Sequence, residues 1–591
     1  MSGNEAIARG VYEAGVRFAA AYPGTPSTEI MEQFARDDGV YAEWAPNEKV
    51  AVEVAIGAAL GGARALAVMK HVGVNVAADP IFTVSYTGIA GALVIISADD
   101  PSMHSSQNEQ DNRNYAKFAK IPMLEPSDSQ EAKDFIKLAF DLSEKFDTPV
   151  FLRTTTRVSH SKSVVRLEPK ATIEDRTDIR HLPLKYVMVP VNARARRLEV
   201  EKRMQALREW AETFPGNRVE LNSAEAGIIT AGMPYNYAKD AFPGYSCLKL
   251  GMVHPLPERL IRDFASKVKK LYVVEELDPF IEEQVKAMGI EVTGKAVFPY
   301  TNEFDPGVVE KAVTGKSSAP IVELPTIPPR PPNLCPGCPH RALFYALNKT
   351  KAFVSGDIGC YTLSYMKPLS GMDSCVCMGA SIGIAHGMSK ALGPKGKGKV
   401  VGVIGDSTFI HSGITPLLNA AYNRSNAVFI IADNRTTAMT GMQEHPATGQ
   451  TLQGEKTKEL DFAALGKVLG VERVEVIDPL QFKNTAEVLK RELGKEGPSL
   501  IISRSPCVLL MSRKAAHAGH FYADPDKCIG CKVCLSCGCP AISWKDFEKA
   551  GMPPRPDRKK QKGIAVIDAS LCTGCTLCAQ LCRQEAIMRE G

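Results

Sequence analysis

The 591-residue sequence has no apolar run long enough to cross a membrane. Its longest apolar runs, such as residues 92–98 and 428–432, are far shorter than the roughly 18 residues that a membrane span needs. The amino-terminal segment contains Asn4 and Glu5 and no apolar core, so it is not typical of a signal peptide. We therefore expect a cytoplasmic protein without a membrane partner.

The chain also has a low net charge and few aromatic residues. A net charge of +5 is small for a chain of this size, and no basic stripe stands out, which argues against a nucleic-acid partner. Aromatic residues make up 7% of the chain, but a hydrophobic share of 45% and a charged share of 23% are ordinary for a globular protein. The chain is too long for one hydrophobic core, so we expect roughly three to five domains.

Apolar strands and helical patterns alternate at the start of the chain. Residues 65–69, 92–97 and 149–155 predict buried parallel strands, and the alanine-rich residues 48–60 predict a helix. This alternation is typical of a doubly wound α/β domain. A charged segment at residues 193–212 predicts a solvated helix.

Two further α/β segments follow. Residues 227–231 and 271–275 predict strands of the first segment. Residues 400–404 and 427–432 predict strands of the second, with a helix between them at residues 415–424.

Composition marks two boundaries between these segments. Six prolines within residues 317–332 exclude regular helix and sheet, so this stretch is predicted to be a linker. From residue 516 onward the chain has little aliphatic core and many cysteines, and we expect metal to hold this part together.

The cysteine spacing near the carboxyl terminus predicts iron–sulfur clusters. The chain has sixteen cysteines, which a reducing compartment would keep as thiols unless a metal binds them. Four of them follow the C-x2-C-x2-C-x3-C spacing of a bacterial ferredoxin half-motif, in which the fourth cysteine binds the other cluster. We assign Cys528, Cys531, Cys534 and Cys582 to one [4Fe–4S] cluster, and Cys539, Cys572, Cys575 and Cys578 to the second.

These motifs depart from the ferredoxin pattern at two places. Four residues instead of three precede the Cys-Pro element at Cys539, and Arg583 instead of proline follows Cys582. Cys537 is left over and is an alternative ligand to Cys539, although the following proline favours Cys539. A pair of zinc sites is the other interpretation, but zinc gives no reason for the third regularly spaced cysteine.

Polar residues at two strand ends predict a magnesium site. Gly405-Asp406 follows one strand and Asp433-Asn434 follows the next, and ligands collect at such ends in open α/β sheets. Their oxygens suit Mg²⁺, which leaves its other positions to diphosphate. The pair resembles the Gly-Asp-Gly…Asn-Asn motif of thiamine diphosphate enzymes, with Ser407 and Asp433 as departures. That resemblance implies three ligands: Asp406, Asn434 and the carbonyl of Thr436. Gly379 opens a helical run whose N–H groups could meet phosphate.

The amino-terminal domain resembles the pyrimidine-binding domain of the 2-oxoacid:ferredoxin oxidoreductase family. The resemblance rests on residues 22–28 (YPGTPST), the segment around Glu48 and the Gly-Ala-Arg that follows its helix. In that family the glutamate activates thiamine diphosphate and the Thr-Pro-Ser loop lies near the substrate carboxylate, which implies those roles for Glu48 and Thr25. From the residues alone, Glu48 is better explained as a first-turn charge that complements the helix dipole.

A third cluster is implied by the same resemblance. The segment from Leu334 to Arg341 (LCPGCPHR) resembles the start of the diphosphate domain of the family, where a CxxC pair joins two later cysteines. Four residues match: Cys335, Cys338, Cys360 and Cys507. The alternative is that Cys360 and Cys507 are buried thiols with packing roles only. Cys375 and Cys377 have no assigned role.

The resemblance covers nearly the whole chain and implies its fold class, several doubly wound thiamine-diphosphate-binding α/β domains followed by a small 2[4Fe–4S] ferredoxin-like domain. We expect the following segments: a pyrimidine-binding domain (1–166), a helical linker with a transketolase-C-like domain (167–316), a proline-rich linker (317–332), a diphosphate and magnesium domain (333–515) and a ferredoxin domain (516–591).

The terminal ferredoxin domain and the CPGCPHR segment point to the indolepyruvate branch of the family. This implies oxidative decarboxylation of aryl pyruvates with coenzyme A and ferredoxin, in a dimer of heterodimers with a smaller β subunit, in an anaerobic cytoplasm. The alternatives are the same reaction on another 2-oxoacid, a non-oxidative thiamine-dependent decarboxylase or synthase, and a non-catalytic electron carrier. No residues in the sequence can be identified as an indole pocket.

Overall fold

The computed structural model describes residues 1–174, 177–179, 181–316, 326–328, 330–511, 519–551 and 561–590. The chain divides into two compact units: unit 1 is Met1–Pro325 with Leu452–Gly454, and unit 2 is Thr326–Thr451 with Glu455–Gly591. Much of the predicted linker, residues 317–325 and 329, lies outside the described residues, as does the predicted boundary at 515 and 516.

Unit 1 contains a seven-stranded sheet in the order β10-β5-β6-β4-β3-β1-β2. All neighbouring pairs are parallel except β10 with β5. Its central strands are almost wholly buried, as expected for a parallel sheet covered on both faces. The strands are β1 Phe18–Ala21, β2 Tyr41–Trp44, β3 Arg64–Lys70, β4 Ala92–Asp99, β5 Met123–Leu124, β6 Val150–Thr155 and β10 Met252–His254.

The helices around this sheet begin where the sequence supplies caps. Asn47 caps the helix Glu48–Leu60, whose alanine-rich sequence has high helix propensity, and the predicted bounds are confirmed. The helices are α1 Gly3–Glu13, α2 Thr28–Phe34, α3 Glu48–Leu60, α4 His71–Val76, α5 Ala78–Thr87, α6 Arg113–Ala119, α7 Ser129–Phe146, α8 Thr156–His160, α9 Pro183–Tyr186 and α10 Pro190–Ala211. A 3₁₀ turn spans Pro101–Met103.

Helix α10 is not the solvated helix that its charge predicts. Val200 and Leu207 are fully buried, together with Met204 and Ala211, in a core that also contains Phe140 of α7. The solvated-helix interpretation is therefore wrong for one face of α10. The apolar spacing of 200, 204, 207 and 211 carried this information but is diluted by the surrounding arginines and glutamates.

A second sheet of unit 1 has the order β11-β8-β9-β7, with β7 antiparallel to β9. Buried charges from both sheets meet here: Arg113 pairs with Asp111 and Glu275, and Arg153 pairs with Asp99 and Glu125. The strands are β7 Arg218–Glu220, β8 Ala226–Ala231, β9 Ser246–Leu250 and β11 Lys270–Val274, and the helices are α11 Pro234–Ala241, α12 Glu258–Ala265, α13 Phe280–Ala287 and α14 Pro306–Thr314.

Unit 2 is built on a five-stranded parallel sheet in the order β12-β13-β14-β16-β15. Its strands are β12 Phe353–Ser355, β13 Val400–Gly405, β14 Val428–Asp433, β15 Arg473–Ile477 and β16 Ser499–Arg504. Its helices are α15 Pro339–Thr350, α16 Ser381–Leu392, α17 Asp406–Thr408, α18 Ile414–Tyr422, α19 Phe462–Val468 and α20 Phe482–Leu493, with a π turn at Phe409–Gly413 and 3₁₀ turns at Cys360–Tyr365, Gly393–Gly396, Ala438–Thr440 and Val508–Leu510.

The cysteine-rich end of unit 2 contains two antiparallel strand pairs, β17 with β20 and β18 with β19. Its core combines buried cysteines with alanine, leucine, isoleucine and phenylalanine side chains, and it is continuous with Leu334, Ala342 and Tyr345. The strands are β17 His520–Ala523, β18 Ile542–Asp546, β19 Gly563–Ile567 and β20 Ile587–Glu590, with a 3₁₀ turn at Val533–Cys537 and the helix α21 Leu577–Leu581. No helix among the described residues has the length and apolar character of a membrane span.

Candidate functional site

Three oxygen-bearing groups, here called the oxygen triad, converge where the neighbouring strands β13 and β14 end: the Asp406 carboxylate, the Asn434 amide and the Thr436 carbonyl. In the amide orientation that satisfies hydrogen bonding, the Asn434 nitrogen donates to Asp406 Oδ2 at 3.2 Å and to the Thr436 carbonyl oxygen at 2.7 Å. Rotation of the amide by half a turn would present its oxygen to a cation bound among these groups. Carboxylate, amide and carbonyl oxygens are the ligands that Mg²⁺ prefers, so the donor set fits this ion.

Asp406 is buried and closely held. Its carboxylate accepts from the N–H groups of Ser407 and Arg435, each at 2.8 Å. Burial raises the pKa of Asp406, but the nearby His445 and the N–H donors outweigh burial and hold the pKa below its usual range. The side chain is therefore an anion, as a magnesium ligand must be. Gly405 directly before it leaves room for Tyr361, whose ring carbon would lie 2.9 Å from an added Cβ atom.

Two buried histidines border this group, and spacing alone did not identify either. His445 Nδ1 accepts from the N–H of Ala447, and its Nε2 lies 3.4 Å from Asp406 Oδ2. His340 Nε2 lies 3.4 Å from the side-chain amide of Asn434. Because His340 follows Cys338 by two residues, the segment that carries the CxxC pair also reaches the predicted magnesium ligands.

The Gly379 segment differs from the expectation that its N–H groups meet phosphate. The N–H of Gly379 donates to Asp357 Oδ1 at 2.7 Å, and the N–H of Ser381 donates to Asp357 Oδ2 at 3.0 Å. An internal carboxylate thus takes the place that phosphate was expected to have, and the N–H of Gly379 is not free for that role. No pattern in the sequence indicates that Asp357 would serve as this acceptor.

The predicted pyrimidine-domain residues lie in unit 1. Glu48 is the first residue of α3 and is 5% exposed, beside Gly73 of α4. Thr25 is half-buried in a loop that is held by hydrogen bonds from the N–H of Gly24 to Thr28 Oγ1 and from Ser105 Oγ to the Thr25 carbonyl.

Lys70 lies near both predicted residues, and the sequence analysis did not identify it. Its methylene groups pack under Gly24, and its ammonium donates to the Ser105 carbonyl at 3.0 Å. Burial lowers the pKa of Lys70 to about 8, against the opposing effects of Asp100 and Glu48. Its place at the end of the buried strand β3 was the available signal.

The ferredoxin cysteines line two separate small cavities. Each cavity is lined by three cysteines of one motif and one cysteine of the other, as predicted. One is lined by Cys528, Cys531, Cys534 and Cys582, and the other by Cys539, Cys572, Cys575 and Cys578. Cys537 lines neither, and its Sγ donates to the Cys534 carbonyl at 3.0 Å.

The other four predicted cysteine ligands also come close together. Burial raises the pKa of Cys338 to about 12 and that of Cys360 to about 11, and Cys335 adds to both shifts. Cys507 acts on Cys360 in the same way. Cys375 and Cys377 instead lie beside Asp357. All sixteen cysteines are free thiols, which leaves them available to iron.

Three family models match the chain. Residues 9–207 match "Pyruvate flavodoxin/ferredoxin oxidoreductase, thiamine diP-bdg", residues 357–503 match "Thiamine pyrophosphate enzyme, C-terminal TPP binding domain", and residues 565–588 match "4Fe-4S binding domain". The predicted fold class is confirmed, as is the use of thiamine diphosphate and iron–sulfur clusters. The first match continues into α10, in keeping with the packing of that helix.

Curated relatives match over nearly the full chain. The "Indolepyruvate oxidoreductase subunit IorA" of Archaeoglobus fulgidus is 44% identical over 99% of this chain and 96% of its own, and that of Pyrococcus abyssi is 41% identical over 100% and 97%. The "2-oxoglutarate synthase subunit KorA" of Methanocaldococcus jannaschii is 32% identical over 31% of this chain and 53% of its own. The chain is thus a 2-oxoacid:ferredoxin oxidoreductase, and it belongs to the family of IorA subunits of indolepyruvate oxidoreductase.

Proposed function

We propose that this chain is the catalytic subunit for the oxidative decarboxylation of aryl pyruvates such as indolepyruvate, phenylpyruvate and 4-hydroxyphenylpyruvate. The reaction joins the substrate to coenzyme A and gives the aryl-acetyl-CoA, CO₂, a proton and two electrons, which reduce two ferredoxins. The observation that carries the proposal is that one compact unit contains both the oxygen triad of Asp406, Asn434 and Thr436 and all the predicted cluster cysteines.

Each site residue has a proposed task. Asp406, Asn434 and the Thr436 carbonyl would hold Mg²⁺ and through it the diphosphate. The Glu48 carboxyl would hydrogen-bond the aminopyrimidine ring, and Thr25 would lie near the substrate carboxylate. Thiamine diphosphate, when bound, supplies the electron sink that allows the 2-oxoacid to lose CO₂. The chain itself orients these groups and provides buried thiolates for the clusters.

Three [4Fe–4S] clusters are part of the proposal. The two cysteine sets of the ferredoxin domain would hold two clusters, and Cys335, Cys338, Cys360 and Cys507 would hold the third. Electrons would pass from this third cluster to the ferredoxin-type clusters one at a time, since each cluster accepts a single electron.

The aryl substrate and the partners are supported by relatives. The IorA subunits named above belong to indolepyruvate oxidoreductases, which supports an aryl pyruvate substrate and a partner subunit. A smaller β subunit and a dimer of heterodimers complete the proposed assembly. The partial match to the 2-oxoglutarate synthase subunit makes another 2-oxoacid the alternative substrate.

Anaerobic single-turnover bleaching of the iron–sulfur absorbance tests the function directly. The loaded chain, with its partner subunit, is mixed with indolepyruvate, phenylpyruvate or 2-oxoglutarate, with and without thiamine diphosphate, Mg²⁺ and coenzyme A. Asp406→Ala removes a proposed magnesium ligand, whereas Glu496→Ala removes an exposed carboxylate that pairs with Lys397 and serves as the control.

We expect bleaching with aryl pyruvates that requires the cofactor, disappears in Asp406→Ala and persists in Glu496→Ala. Faster bleaching with 2-oxoglutarate would overturn the aryl assignment. Full colour together with release of an aldehyde would identify a non-oxidative decarboxylase instead.

A further inference from the structure

The buried guanidinium of Arg341 joins two of the cysteine groups in unit 2. Nη2 donates to the carbonyl oxygens of Leu334 at 2.5 Å and Cys335 at 3.3 Å. Nη1 donates to the carbonyl oxygens of Cys537 at 3.0 Å and Gly538 at 2.6 Å. Arg341 thus holds the CxxC loop of the third cysteine set against the loop that leads into Cys539.

Arg341 is 2% exposed, yet its four acceptors are neutral carbonyl groups. Two other buried arginines differ, because Arg113 and Arg153 each pair with two carboxylates. Arg203, which is slightly more exposed at 8%, resembles Arg341 in donating to backbone carbonyl oxygens, those of Ser85 and Asp147. A cation buried without an anion is strongly unfavourable. A compensating negative charge is therefore expected close to Arg341.

Three thiols lie within reach of the charge of Arg341: Cys338 of the third set, Cys575 of the second ferredoxin set and Cys537, which belongs to neither set. A [4Fe–4S] cluster bound by four thiolates is an anion, and reduction adds one further negative charge to it. A fixed cation between two such clusters stabilises their reduced forms most strongly where the dielectric constant is low.

We propose that Arg341 is a shared counter-charge that raises the reduction potentials of the two clusters bound by these cysteine sets. It is a positioning and tuning residue on the path of electrons from the third cluster to the ferredoxin domain. The proposal rests on the cluster assignment made under the proposed function. It adds that the segment Cys335–Arg341 supplies cluster ligands and also the positive charge that tunes the reduction potentials of the clusters.

Potentiometric titration of the anaerobic, cluster-loaded full chain, followed by electron paramagnetic resonance, tests this role. Arg341→Gln removes the charge and keeps hydrogen-bonding groups, and Arg341→Lys keeps the charge. Arg491→Gln is the control, because Arg491 is exposed and pairs with Glu475 and Glu492. Iron content is measured for each variant.

We expect Arg341→Gln to disfavour reduction of these clusters about tenfold, a shift of about 59 mV to more negative potential for a one-electron couple. Arg341→Lys and Arg491→Gln should keep the wild-type potentials. Unchanged potentials in an iron-replete Arg341→Gln protein would overturn the proposal. So would an equal shift in Arg341→Lys, because the carbonyl contacts and not the charge would then be responsible.

If the wild-type protein contains no third cluster, the assignment of Cys335, Cys338, Cys360 and Cys507 is refuted independently of the role of Arg341. In that case the shift is still expected for the second ferredoxin cluster, because Arg341 acts on its ligand Cys575. If Arg341→Gln does not retain iron, Arg341→Lys is compared with wild type instead. Iron loading and reduction potentials like those of wild type in Arg341→Lys would support the role of the charge. Loss of either in Arg341→Lys would contradict it.

Discussion

A Cβ atom added to Gly73 would lie 2.7 Å from both Cγ and Oε1 of Glu48. Gly73 belongs to α4, which follows the strand β3, and Glu48 opens α3. The backbone of α4 therefore lies directly against the carboxyl group that we propose to activate the cofactor. Only glycine at position 73 leaves Glu48 where it is.

Gly73→Ala should displace the Glu48 carboxyl and lower kcat/KM on the order of 10²-fold, the loss that a misplacement of about 1 Å can cause. Steady-state ferredoxin reduction measures this loss. Gly57→Ala in α3 is the control, because nothing lies within 4 Å of its added Cβ atom and its activity should not change. Equal activity of the two variants would show that the position of Glu48 is not critical.

Apolar pattern was sufficient to predict much of the sheet architecture. The predicted strands at 65–69, 92–97 and 400–404 are found within one or two residues of their observed bounds, since buried parallel strands are continuous apolar runs. The oxygen triad was also predictable in outline, because parallel strands that are neighbours bring their carboxyl ends together.

Features that depend on distant segments could not be predicted in this way. Strand β10 joins the first sheet by antiparallel pairing with β5, although the other strands of its own segment form a second sheet. Asp357 accepts a hydrogen bond from the N–H of Gly379, which is 22 residues away in the sequence. No local spacing encodes such pairings, because they depend on which surfaces meet when the segments pack.

Gly379 has φ of +88°, and a Cβ atom there would lie 2.3 Å from Ser412 Cβ. Gly379→Ala should therefore strain the start of α16 and lower the free energy of unfolding by about 1–3 kcal/mol. Calorimetric denaturation of the full chain measures this loss. Gly387→Ala in the same helix meets nothing within 4 Å and should be no less stable than wild type. An unchanged stability of Gly379→Ala would show that the start of α16 adapts to the added methyl group without strain.

We expect substitution of Cys539 and of Cys537 to have opposite effects on the second ferredoxin cluster. Cys539→Ser should lose one cluster, because Cys539 lines the cavity shared with Cys572, Cys575 and Cys578. Cys537→Ser should retain it, because Cys537 is turned toward the Cys534 carbonyl. Iron analysis and electron paramagnetic resonance of the dithionite-reduced chains distinguish the two. Loss of the cluster in Cys537→Ser alone would reverse the ligand assignment.

Glu13 gives the stability of unit 1 a dependence on pH. Its fully buried carboxylate accepts from Lys133 at 3.0 Å, Arg9 at 2.9 Å and the Glu168 N–H at 2.7 Å. Burial raises the pKa of Glu13, but these donors outweigh burial and lower the pKa to about 2 from an ordinary value of 4.5. Because the folded pKa is the lower one, the stabilisation is complete above about pH 4.5 and is lost as the pH falls toward 2.

Glu13→Gln should therefore lower the free energy of unfolding by about 3 kcal/mol at pH 7, since the buried Lys133 then keeps only the half-exposed carboxylate of Asp134 as its partner. Hydrogen exchange of the α1 and α7 amides in the full chain reports this change locally. Glu53→Gln, which breaks an exposed pair with Lys49, should change the exchange little. The difference between wild type and Glu13→Gln should shrink as the pH falls below 4.5, and a difference that persisted at pH 2 would show that packing of the side chain, and not its charge, stabilises this helix pair.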